Sequence, residues 1–80
     1  MATLILNGEF EKLAGCTTIL ISSVTYRGFI QEIVNQVPGL EADRLMEMAL
    51  AIDGEIIHEP LLVTIPENSE LHFVLKISGG

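Results

Sequence analysis

Only one stretch of this chain carries sustained helical periodicity. Tyr26, Phe29, Ile30, Ile33, Val34 and Val37 recur at three- and four-residue spacing, which gathers them on one side of a helix of about three turns. Gln31, Glu32, Asn35 and Gln36 then face outward. Ser22, Ser23 or Thr25 can cap its start by accepting from a backbone N–H that has no intrahelical partner. Pro38-Gly39 ends it, because proline blocks continuation and glycine takes the turn out. A lone amphipathic helix must bury its stripe against another layer, and the remainder of the chain reads mainly as strands.

Those strands can be placed in order. Thr3-Leu4-Ile5-Leu6 runs into Asn7-Gly8, a dipeptide whose residues both tolerate positive φ, so the chain is expected to turn back there or a few residues later. Glu9 to Gly15 fits either a short helical turn, with Phe10 and Leu13 three apart, or a hairpin arm, and Gly15 breaks it in both cases. Thr17 to Ile21 is β-branched and apolar, as a second strand should be. After the helix, Leu40 to Met46 reads as a short irregular turn with acidic residues outward. Ala49 to Ile52, the turn Asp53-Gly54 and Glu55 to Ile57 form a hairpin. Pro60 and Pro66 keep the next stretch out of any central ladder, and Asn68-Ser69 turn into a last strand.

In that last strand Leu71, Phe73, Leu75 and Ile77 alternate with His72, Val74, Lys76 and Ser78, which puts the two sets on opposite faces. The strand leads directly into Gly79-Gly80. Residues without a Cβ can enter a channel too narrow for side chains. From Ile77 the extended chain reaches roughly 13 Å at about 3.3 Å per residue. The order strand, strand, helix, strand, strand, strand predicts an α+β domain: a mixed sheet of four to five strands with one main helix on one face. The first and last strands become central, parallel neighbours. This is a β-grasp of ubiquitin-like type, with residues 1–76 as the domain and 77–80 as a flexible tail.

Composition narrows the partners. Four basic residues against eleven acidic ones leave a net charge of -7, which argues against nucleic acid and anionic membranes. The longest apolar run is about five residues, far below the ~20 that span a bilayer. With no signal-peptide pattern at its start, the chain is expected to be cytoplasmic. The single Cys16 makes no internal disulfide and no four-thiolate site, and reads as a small packing residue beside a strand. Met46 and Met48 read as core filler. His58-Glu59 and His72 do not have metal-ligand spacing, and no Ser-His-Asp arrangement or phosphate loop is present, so the chain is not expected to be an enzyme by itself.

Three segments resemble the small subunits of molybdopterin synthase and related sulfur carriers of the MoaD/ThiS family. Leu13-Ala14-Gly15 is similar to a Glu-Leu-x-Gly segment between their first two strands. Ala51-Ile52-Asp53-Gly54-Glu55 is similar to their Val-Asn-Gly-Glu hairpin. Phe73 to Gly80 resembles their Phe-x-Pro-Pro-Val-Ser-Gly-Gly ending, with Leu75 and Lys76 at the two proline positions. The same ending is similar to that of ubiquitin, through Ser69, Leu71, His72, Val74, Leu75, Gly79 and Gly80. The resemblance implies that Gly80 carries a carbonyl that an ATP-dependent, ubiquitin-activating-type enzyme adenylates and that is then converted to a thiocarboxylate. Gly79 gives it passage, while Phe73, Leu75, Lys76, Ile77 and Ser78 face partners. It also implies delivery of sulfur to a large synthase subunit or another acceptor enzyme, in molybdopterin or thiamine-thiazole synthesis. By the same resemblance the chain is expected to bind no cofactor itself, ATP being used by the activating partner. Two other readings remain open: a modifier joined to target lysines through Gly80, and an interaction module whose glycines are incidental.

Overall fold

A computed structural model of the chain describes residues 1–74. Strand β1 (Ala2–Ile5) is followed by helix α1 (Gly8–Ala14), strand β2 (Thr18–Ile21) and helix α2 (Tyr26–Gln36). Helix α3 (Ala42–Met46), strands β3 (Ala49–Ile52) and β4 (Glu55–Ile57), a 3-10 turn at Pro60–Leu62 and strand β5 (Glu70–Val74) complete it.

The five strands form one mixed sheet in the order β2-β1-β5-β3-β4. β5 lies between β1, to which it is parallel, and β3, to which it is antiparallel. The expected α+β architecture, with first and last strands adjacent at the centre, is therefore present and is compatible with a β-grasp fold. Period-two alternation sends Leu4, Ile19, Ile21, Leu50 and Leu71 to one face, where they pack with Phe29, Ile30, Ile33 and Val37 of the α2 stripe. Burying each such side chain contributes ~1.5–3 kcal/mol before conformational entropy is counted.

Helix α2 begins as its sequence dictates. The Thr25 side chain accepts from the Gly28 N–H at 3.1 Å, so Thr25 is the cap among the three candidates. Ser22 and Ser23 instead bind Glu32, one helical turn and more further on. The Ser23 N–H and hydroxyl donate to its carboxylate at 2.8 and 2.7 Å, and the Ser22 N–H at 3.0 Å. These bonds pin the loop after β2 onto α2.

Two connections differ from the sequence reading. Asn7-Gly8 does not close a hairpin; it starts α1, with extended Asn7 at the cap position and Gly8 at φ 56. Phe10 and Ala14, four apart, both pack against the core, so tertiary burial turns a locally ambiguous segment into helix. Leu40 to Met46 is likewise more regular than expected. Its α3 turn drives Leu45 into the core, fully buried. Cys16 is exposed and is not a packing residue. It follows Gly15, whose left-handed φ of 72° ends α1 and leads the chain through a bend before β2 begins.

The Asp53-Gly54 turn behaves as its residues require, with φ of 50° and 88° at the two positions. It also holds β5: the Glu70 N–H donates to the Asp53 carboxylate at 2.8 Å, and the Asp53 N–H donates to the Glu70 carbonyl at 2.8 Å.

Candidate functional site

Among the described residues, two regions stand out: the end of β5 and a pocket beside the start of α2. β5 is held on both edges, Leu71 opposite Leu4 on one side and Ile52 on the other, and Phe73 opposite Leu50. Phe73 is half-buried. Its ring stacks on Phe29 at 5.5 Å between centroids and meets Phe10 edge-on at 5.9 Å. Phe29 in turn sits 6.2 Å from Tyr26. With three phenylalanines, one tyrosine and no tryptophan in the chain, this row contains every aromatic side chain it has. The ring fixes the strand immediately before residue 75. The other members of the sequence-derived site, Leu75, Lys76, Ile77, Ser78, Gly79 and Gly80, lie outside the described residues.

The face of the sheet away from α2 carries the opposite parity. His72 and Val74 are half-exposed there, His72 level with Ala51 and Val74 with Ala49. Ile56 pairs with Ala51, and Leu20 pairs with Thr3. Both Ile56 and Leu20 are exposed, at 48% and 61%. Among the described residues, His72 Nε2 lies 3.9 Å from the Glu70 carboxylate, a separation at which a surface pair contributes ~0–1 kcal/mol at most.

The pocket, of about 400 Å³, has walls from Tyr26, Met46, Pro60, Leu61 and Leu62. His58 and Glu59 supply its remaining polar lining. Leu61 and Leu62 are exposed, Leu62 at 92%. Tyr26 is the opposite case: 1% of it is exposed, and its hydroxyl has no hydrogen-bond partner among the described residues. Burial pushes its pKa up, so the phenol stays protonated and keeps its donor. An unsatisfied buried hydroxyl costs ~1–3 kcal/mol. Sequence reading placed Tyr26 in the helix stripe, where it is, but did not see the pocket. The available signal was Leu61-Leu62, adjacent leucines between two prolines in a stretch barred from the ladder.

His58, Glu59 and His72 do not come together as a ligand set. Among the described residues no cluster of three or more His, Cys, Asp or Glu side chains could hold a metal ion. Nor is any described helix long and apolar enough to cross a membrane.

No family model matches the chain, and no curated protein matches it in sequence.

Proposed function

We propose that this protein is a sulfur carrier, a small domain that presents the Gly80 carbonyl to partner enzymes. The observation that carries this reading is the setting of β5. A strand paired on both edges and pinned by Phe73 leads directly into a run that ends Ser78-Gly79-Gly80, whose last two residues have no side chain to obstruct a narrow active site. The fold supports the reading by analogy, since β-grasp domains host several functions, and the diglycine motif supplies the specific chemistry.

In this reading a carboxylate oxygen of Gly80 attacks the α-phosphorus of ATP bound to an activating enzyme, and pyrophosphate leaves. The resulting acyl adenylate is electrophilic where the carboxylate was not. A sulfur nucleophile then attacks the carbonyl and AMP departs, so one oxygen is replaced by sulfur. The acidic body, at net -7, favours a partner with a basic docking face. The acceptor is a sulfur-incorporating synthase of cofactor biosynthesis, molybdopterin first and thiamine thiazole second.

Incubation with an activating enzyme of this class, ATP and a sulfide donor is expected to raise the intact mass by the difference between a sulfur and an oxygen atom. The gain should map to the peptide containing Gly80 and vanish when Gly79 and Gly80 are deleted. Diglycine remnants on lysines of other proteins, without any sulfur exchange, would assign the chain to protein modification instead. Unchanged activity of the diglycine deletion would leave it an interaction module.

A further inference from the structure

We infer that β2 pairs antiparallel with β2 of a second copy of this chain, joining the two sheets edge to edge about a two-fold axis at Ile19. The inference does not rest on the sulfur-carrier reading, because β5 lies inside the sheet and takes no part.

The two edges of the sheet are built differently. β4 is three residues long, begins with Glu55 and lies between Asp53 and Glu59-Pro60, charges and a proline that keep other strands off. β2 has no such guard. Residues 13–26 contain neither a charged side chain nor a proline, in a chain of net charge -7. Thr18 and Leu20 of β2 are exposed, Leu20 at 61%.

Hydrogen-bond parity leaves a defined set of backbone groups open along this edge. The Leu6 N–H donates to the Thr17 carbonyl at 2.8 Å, and the Thr3 N–H donates to the Ser69 carbonyl at 2.9 Å. In an antiparallel ladder alternate residues bond to the same neighbour, so Thr17, Ile19 and Ile21 face β1. Thr18 and Leu20 then turn both their N–H and C=O groups outward. Beyond them the opening ends, because the Ser22 N–H is held by the Glu32 carboxylate at 3.0 Å. A second β2 placed with its Leu20 opposite Thr18 lets each of the two symmetric Thr18–Leu20 pairs exchange both its hydrogen bonds. A shift that set Leu20 against its own copy would need the occupied Ser22 N–H.

This self-complementary register selects a second copy as the occupant. A foreign peptide draws its specificity from pockets beside the edge, and the pocket described lies past β4, at the opposite side of the sheet. Like strands paired about a two-fold axis bring no like charges together in the seam, and the guarded β4 edges leave the assembly closed at two copies. The contact is small and both bodies are acidic, so the dimer is weak and tightens with salt.

Sedimentation velocity and amide hydrogen exchange of the full chain, from about 0.05 to 1 mM protein, test the pairing. Mean mass should rise with concentration toward the dimer and no further, and should rise more at ~0.15 M sodium chloride than at ~0.01 M. The Thr18 and Leu20 amides should gain protection with concentration, while Ile19 and Ile21, already bonded to β1, should not. Leu20→Lys, at an exposed position, should keep the fold and weaken association at least about ten-fold. Glu55→Gln changes the net charge by the same amount at the other edge and should not weaken it. A monomer at every concentration, growth past two copies, or association that Leu20→Lys leaves intact would each overturn the pairing. Protection of Thr18 and Leu20 that appears only on adding an alternating valine-threonine peptide would give the edge to a foreign strand and overturn it too.

Discussion

Glu32 is the residue whose environment most clearly departs from the ordinary. Partial desolvation acts to raise its pKa, but the hydrogen bonds from Ser23 and Ser22 outweigh it and the net shift is downward from 4.5. A lowered folded-state value means that the carboxylate contributes stability above its unfolded pKa and loses that contribution as pH falls through the folded value. Glu32→Gln is therefore expected to cost about 1 kcal/mol at pH 7, measured by urea denaturation. The gap from the parent protein should begin to narrow as pH drops below 4.5 and close only below the lowered folded-state value, where both states of the parent are protonated. A gap that stays constant with pH would show that shape, not charge, holds the loop. Much at this scale was legible in the sequence. A Ser or Thr cap among Ser22, Ser23 and Thr25 and Asp53-Gly54 as a positive-φ turn both follow from local chemistry, whereas the choice of Thr25 does not, because Glu32 engages both serines. From sequence Glu32 is only an outward helix residue and Cys16 a packed one, because each outcome depends on which loop lies opposite.

At the scale of elements, β5 and its ring are the test. Phe73→Ala removes the stack on Phe29 and the edge contact with Phe10. Full burial of a phenylalanine is worth ~3–5 kcal/mol in such truncations, so a half-buried ring should cost about 2–3 kcal/mol, seen as a lower urea midpoint at unchanged slope. Val74→Thr, on the opposite face, should cost under about 1 kcal/mol. Comparable losses for the two would mean that the helix-facing side of β5 is not the anchored one. α2 and β5 are legible because their periods are unambiguous, and the other strands because apolar or β-branched runs sit beside turn residues such as Asp53-Gly54. α1 and α3 are not. Segments of seven and five residues are too short for helical propensity to decide, and Phe10 and Leu45 become helical through contacts made far along the chain. The pocket was illegible for the same reason, since Tyr26, Met46 and Leu62 meet only once α2, α3 and the Pro60 turn have packed.

Across the whole molecule, charge works against compactness. Besides the His72–Glu70 approach, two ion pairs, Arg44 with Glu9 and the N-terminal amine with Glu67, are both exposed, and such pairs contribute ~0–1 kcal/mol each. The protein extends 33 × 28 × 20 Å, so at ~0.01 M salt, where screening reaches ~30 Å, its acidic groups act on one another across the entire body. Raising sodium chloride from about 0.01 to 0.15 M shortens that reach to ~8 Å and should raise the melting temperature by a few degrees. A fall would mean that the ion pairs outweigh the repulsion.

The adjacency of β1 and β5 also bears on synthesis. Thr3 pairs with Glu70, so the middle of the sheet cannot close until almost the last described residue has left the ribosome. At roughly 5–20 residues per second, β1 waits on the order of several seconds for its neighbour. During that interval Leu4 has β2 beside it but an open flank, and nascent chains stalled short of residue 70 are where chaperone dependence and aggregation should concentrate.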